Sequence, residues 1–197
     1  MKKIMCGMLM LAALHSSTVN AQIQRGNVLI GSEITNLNLG LDKGGNFSFR
    51  INPKAAWFIR DNVAVGAYVA AGLATAKGAG TSVNYGVGAL ARYYLGAADA
   101  PVVRNTRFFA EGTVGIEGDN PAVGDNTNGL GLGIGPGIAY FITPNIALEG
   151  LFKYNGIVGF GTAPTSNNLN LSLGFQIYLS NSRAREVRDQ IKADTKQ

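Results

Sequence analysis

A chain of 197 residues that is 46% hydrophobic and 15% charged can fold as one domain and is too apolar to be disordered. Its formal charge of +5 does not describe its body. Five of the seventeen basic residues lie in 181–197, Lys2 and Lys3 start the chain, and 22–180 holds ten basic against nine acidic residues, so no nucleic-acid surface is implied.

The first element is a targeting segment. Lys2 and Lys3 precede the apolar run 4–14, and Val19-Asn20-Ala21 puts small residues where a signal peptidase would cut, between Ala21 and Gln22. The run is too short to span a hydrocarbon core of about 30 Å. Cys6 and His15, the single cysteine and the single histidine, both fall inside it. Cys6 also lacks the context of a lipid-modified cysteine. The mature chain therefore carries neither residue type, which excludes disulfides, thiol chemistry and cysteine-metal sites and suits an oxidising compartment.

From there, alternating runs predict strands near 27–40, 46–59, 63–76, 82–95, 106–118, 128–142, 146–160 and 168–180. None shows sustained helical periodicity. "RDN" (60–62) and "TPN" (143–145) are tight turns. "LDKGG" (41–45), "KGAG" (77–80), "GDNPAVGDN" (118–126) and "GTAPTSNN" (161–168) are longer and rich in Gly, Asn and Thr. Short turns at one end and longer loops at the other is the habit of a transmembrane barrel. "GAADAPVVRN" (96–105) breaks the alternation: it is either an extended periplasmic turn or a sign that the strand count is off. The expected fold is all-β, an eight-stranded antiparallel up-and-down transmembrane β-barrel over 22–180, after a signal at 1–21 and before a charged tail at 181–197. In that tail Ala184, Val187 and Ile191 share a weak helical face, which reads either as a frayed end or as a small docking helix.

Each run has an apolar stripe. Run six offers Leu130, Leu132, Ile134, Pro136, Ile138, Tyr140 and Ile142, and run eight offers Leu169, Leu171, Leu173, Phe175, Ile177 and Leu179. At about 3.3 Å per residue and a tilt near 40°, such stripes cover roughly the 25 Å apolar band of an outer membrane. Trp57, Tyr93 and Tyr140 fall near the short-turn ends, where an aromatic girdle belongs. Run one slips parity between Ile34 and Leu37, so a bulge is expected near Thr35-Asn36. Pro53 and Pro136 lack a ladder donor, and a local bulge is expected at each.

The opposite face carries Gly129, Gly131, Gly133, Gly135 and Gly137 in run six and, elsewhere, Glu33, Arg50, Lys54, Arg92, Glu111, Glu117, Glu149 and Lys153. A soluble barrel would gain nothing from a glycine ribbon on its wet side. Turned inward, the glycines leave room for the long charged side chains, whose four acids and four bases neutralise one another. The eight charges then form either a static lumen plug or a switchable gate.

"NPKAAWFIRDNVAVGAYV" (52–69), "ARYYLG" (91–96) and "GPGIAYFITPNIALEG" (135–150) resemble the small outer-membrane β-barrel proteins of Bacteroidetes-type bacteria, related in architecture to OmpA/OmpX-like barrels. The aromatic, Asn-containing turn and small-apolar strand occur twice, at 57–65 and 140–148. The resemblance covers roughly 26–180. It implies localisation in the bacterial outer membrane, with outer-membrane lipid and lipopolysaccharide as surroundings. It further implies recognition by the barrel-assembly machinery, for which Ser172, Gly174, Ile177 and Leu179 in the closing strand look like the signal.

Outer-membrane barrel enzymes mostly rely on a histidine, and the mature chain has none, so no enzyme and no cofactor are expected. Asp119 and Asp125 are thin support for a metal site. "GLGLGIGPG" (129–137) lacks the Lys-Ser/Thr of a phosphate loop and reads as a strand face. Two functional readings remain. One is a non-enzymatic membrane barrel with a structural role or with a surface ligand at loops 41–45, 77–80, 118–126 and 161–168. The other is a soluble, lipocalin-like barrel whose oily stripes line a cavity for a small apolar molecule. A narrow gated ion pore is a variant of the first.

Overall fold

A computed structural model describes residues 23–39, 46–76, 78, 80–95, 105–161 and 165–180. The Ala21/Gln22 cleavage site, loop 41–45, most of 96–105 and the tail 181–197 lie outside them. Eight strands follow in chain order: β1 (Val28–Leu39), β2 (Asn46–Arg60), β3 (Val63–Ala76), β4 (Gly80–Tyr94), β5 (Thr106–Asn120), β6 (Thr127–Thr143), β7 (Ile146–Gly159) and β8 (Ser166–Leu179). Each pairs antiparallel with its neighbour in sequence, and β8 returns to β1 to close the barrel. Since β4 and β5 pair directly, the irregular 96–105 connection does not disturb the strand count.

The strands are staggered. Partners of Val28 can be followed around the barrel through Trp57, Val65, Ala91, Gly112, Ile134 and Tyr154 to Leu169. The other way round, Val28 meets Leu179 directly, ten residues further along β8. That offset is the shear that tilts the strands and sets the lumen width.

The bulge in β1 lies between Thr35 and Asn38, and Asn36 takes a left-handed φ of 54° there. The two proline bulges are absent. Pro53 keeps its register opposite Ser32, and Pro136 keeps its register opposite Ala110. What drops out is pairing on the far side, around Asn52 and Pro53 towards β3 and around Gly135 and Pro136 towards β7. A missing N–H affects one neighbour only, so a local gap in that ladder suffices and no residue need be inserted.

Three strands also run further than their turn-like composition suggested. Gly80 opens β4, Asp119 and Asn120 still belong to β5, and Ser166 already belongs to β8. The loops are correspondingly shorter than 77–80, 118–126 and 161–168. Side-chain hydrogen bonds between strands hold these polar extensions, among them Asn84 to Asp119 (2.6 Å), Tyr85 to Asn128 (2.6 Å) and Tyr154 to Asn167 (2.7 Å).

The two-residue turn Asp61-Asn62 joins β2 to β3, with Asn62 at φ 66°. Asparagine tolerates this region and β-branched residues do not. Asn62→Val should cost about 1–2 kcal/mol in urea unfolding of the detergent-refolded barrel, while Asn62→Gly should be close to neutral.

The barrel is inside out relative to a soluble protein. Leu132 and Ile134 are 48% and 67% exposed on the outside, whereas Arg92 on the inner face is 1% exposed. Trp57, Tyr93 and Tyr140 ring the outside near the short-turn end, and Phe47, Tyr85, Tyr154 and Phe160 lie outside near the long-loop end. The core is the lumen.

Candidate functional site

The lumen is layered. At the short-turn end Phe58, Tyr94, Phe109, Phe141 and Tyr178 meet across the axis, all buried. Their ring centroids are 4.9 Å apart for Phe141–Tyr178, 5.5 Å for Tyr94–Phe109 and 5.8 Å for Phe58–Tyr94. The segment 23–27 closes the base from outside. Ile23 is buried and its carbonyl accepts from the Asn62 N–H (3.0 Å), the Arg25 N–H donates to Asp61 (2.8 Å), and the Gly26 N–H donates to the Phe58 carbonyl (2.8 Å).

Above the rings sits the lower charged tier. Arg92 on β4 donates through Nη1 to both oxygens of Glu149 (2.8 Å each), through Nη2 and Nε to Glu111 (2.6 and 3.1 Å), and through Nη1 to the Tyr94 hydroxyl (2.9 Å). Its guanidinium carbon lies 4.0 Å from the Phe109 ring centroid. Glu149 also accepts from the Tyr178 hydroxyl (2.8 Å), which is 2.8 Å from that of Tyr94. Lys54 on β2 bridges Glu33 and Glu111, at 2.8 Å from the latter. Every member is buried, so the tier is tolerable only because its three carboxylates share the two cations and each is hydrogen-bonded.

The upper tier is wetter. Arg50 pairs with Glu117 (3.0 Å), which also accepts from the Tyr68 hydroxyl (2.7 Å). Lys153 stands 3.6 Å from Glu111. A cavity of about 20 Å³ lies between the tiers, room for about one water. Beyond it a vestibule of about 400 Å³ is lined by Asn36, Asn38, Ser48, Arg50 and Asn84 together with the apolar Leu37, Phe49, Leu73 and Ala74. Glycine makes the space. A Cβ on Gly131 would stand 2.7 Å from Glu117, and one on Gly115 would stand 2.8 Å from the Tyr68 hydroxyl.

Thus all eight charges named from the sequence meet in one lumen, in seven ion pairs. In the closing strand, Ser172 and Gly174 face inward, with Ser172 accepting from Thr35 (3.2 Å), while Ile177 faces outward and Leu179 shares its face. Asp119 is not a loop residue as supposed but a strand residue bonded to Asn84, and Asp125 is exposed. Among the described residues no group of His, Cys, Asp or Glu could hold a metal ion.

The aromatic layer was missed. Its signal was the aromatic doublets Trp57-Phe58, Tyr93-Tyr94, Phe108-Phe109 and Tyr140-Phe141, all at short-turn ends. In the first, second and fourth, one ring is exposed outside and its neighbour is buried in the lumen; in the third, Phe109 is the buried member.

No family model and no curated protein matches the chain. Among solved structures, the crystal structure of Neisserial surface protein A is similar at a TM-score of 0.53 and 20% identity, over 77% of this chain and 96% of that one. The N-terminal β-barrel domain of Pseudomonas aeruginosa OprF has 15% identity over 79% of this chain and 98% of that one, at 0.47. The outer membrane enzyme PagL has 15% identity over 76% and 98%, at 0.44. What the chain shares with Neisserial surface protein A is the fold, here a closed barrel of eight antiparallel strands.

Proposed function

We propose that this chain is a non-enzymatic outer-membrane barrel whose lumen is a static ionic brace and whose long-loop end meets partners outside the cell. The observation that carries this reading is the inverted distribution of side chains, apolar outside and ionised inside, on a closed barrel with no free sheet edge at its base. A lipocalin-like cavity would need the apolar stripes inside, and they face out. The gate reading loses support from the aromatic layer, which closes the short-turn end beneath the charges. In the same reading a signal removed between Ala21 and Gln22 leaves a short stub, anchored at the base by Ile23. The exposed Ile177 and its neighbour Leu179, with Ser172 and Gly174, would be read by the assembly machinery.

Two measurements test it. Single-cysteine labels at Leu132 and Leu171 in bilayers should be quenched by brominated acyl chains, and a label at Asn155 by a water-soluble quencher. The reverse pattern would sink the membrane reading. In planar bilayers the protein and its Lys153→Ala variant should give no discrete conductance. Reproducible unitary steps would replace the brace with a pore.

A further inference from the structure

We propose that the vestibule at the long-loop end is a blind cup for a small neutral polyhydroxylated molecule of the monosaccharide class. This deepens the reading above, in which that end meets partners outside the cell, and rests on it for the side from which the ligand arrives. Among the described residues the cup is closed below. The cavity between the tiers admits about one water. Beneath that lie the ion pairs of Lys54 and Arg92, and then the aromatic layer around Tyr94 and Tyr178. A molecule larger than water that enters from the long loops therefore stops in the vestibule. Its volume of about 400 Å³ lies within the range of small-ligand pockets.

The wall is rich in amides, and they are only partly used. Asn36 and Asn38 stand on β1, Ser48 and Arg50 on β2 and Asn84 on β4, while Leu37, Phe49 and Leu73 alternate with the lining positions and form an apolar margin. The side chains of Asn36 and Asn38 make no hydrogen bond to a described residue; the Asn36 carbonyl accepts from the Ser48 hydroxyl (2.9 Å), whose oxygen can still accept. Arg50 donates through Nε to Asn52 (3.2 Å) and through Nη2 to Glu117 (3.0 Å), which leaves Nη1. Asn84 donates to Asp119 (2.6 Å), which leaves its Oδ1, and the absence of a side chain at Gly72 keeps the space beside that oxygen open. A side-chain amide presents a donor and an acceptor next to each other, the complement of two neighbouring hydroxyls on a sugar ring.

The charges favour a neutral ligand. Arg50 and Lys153 of the upper lumen stand against Glu117 and Asp119, with the edge of Glu111 besides, so an anion finds no surplus cation. A cation finds the carboxylates engaged, Glu117 by Arg50 and Tyr68 and Asp119 by Asn84. A charged ligand would thus give up water without gaining a counter-charge. An apolar ligand would strip water from the amides and leave them unpaired. A sugar replaces each water with a hydroxyl, so its binding is weak, with a Kd on the order of millimolar.

The test uses saturation-transfer NMR on the full barrel, folded in a zwitterionic detergent that has no sugar head group. The probes are glucose, glucuronate and glucosamine, one ring with no charge, a negative charge and a positive charge. Glucose should bind about tenfold more tightly than either charged analogue. Asn36→Gly with Asn38→Ala removes both free amides, and the glycine accepts the φ of 54° at 36. That variant should weaken glucose binding about tenfold, the worth of two neutral hydrogen bonds exchanged with water. Ala74→Trp, which fills the cup from β3, should abolish it, and Asn62→Gly at the opposite end should leave it unchanged. Should the double variant not fold, Ala74→Trp decides alone. No saturation transfer to glucose, equal binding of the three probes, preference for a charged one, or binding that survives Ala74→Trp would overturn the proposal. The surface reading is tested separately by an impermeant maleimide on intact cells. Val123→Cys, at an 83% exposed position beyond β5, should be labelled; failure to label would remove that reading, whereas the sugar data in detergent decide the cup.

Discussion

Arg92→Met will destabilise the refolded barrel by about 3–5 kcal/mol, read as a lower midpoint in urea and an earlier loss of the compact form that migrates apart on unboiled gels. The figure follows from what the guanidinium leaves behind. Glu111 keeps Lys54, but Glu149 retains, among the described residues, only the hydrogen bond from the Tyr178 hydroxyl. A fully buried carboxylate with one neutral donor is an uncompensated charge, and losing one partner of such a pair costs more than the pair itself contributes. Arg92→Met with Glu149→Gln should therefore recover part of the loss, because the amide needs no counter-charge. Lys153→Met is the contrast. Its ammonium is partly exposed and 3.6 Å from its carboxylate, so it should cost less than about 1 kcal/mol. If Arg92→Met and Lys153→Met cost the same, the two-tier description is wrong.

Gly137→Val should be nearly as damaging, by about 3 kcal/mol or more, with little compact form recovered on refolding. A Cβ at Gly137 would stand 2.2 Å from the Phe109 ring. That ring is held between Tyr94 and the Arg92 guanidinium, so it cannot retreat without loosening the lower tier. Phe109→Leu in the Gly137→Ala background should restore folding in part by vacating that space. Gly112 serves as the control. It neighbours Glu111 but points outward, where the nearest atom to a new Cβ is 3.9 Å away, so Gly112→Ala should change stability by less than about 0.5 kcal/mol. Equal effects at 137 and 112 would show that the glycine ribbon is not there to admit side chains.

Much of this architecture is legible before any coordinates, because a strand displays its two faces at every second residue. Leu169 to Leu179 and Gly129 to Gly137 state which side meets lipid, and the shift of parity after Ile34 announces the bulge at Asn36. The eight charges could be placed in the lumen by parity alone. Their pairing could not, since it depends on shear, which brings Arg92 of β4 to Glu149 of β7 across the axis rather than along a ladder. Proline misled because lost donors were equated with lost register. Asn120 and Ser166 misled because polar residues read as turns, when strands that continue beyond the bilayer are polar too. The tyrosines were hidden by their chemistry: Tyr94 and Tyr178 look like girdle residues by type and are lumen residues by position.

Val28 lies beside Leu179, so the chain enters and leaves the barrel at adjoining points on the short-turn end. Such a topology is a ring cut at one place. Joining those points with a brief linker and opening the ring at Gly78 instead would give a circular permutant with the same ladders and its new ends in the opposite compartment.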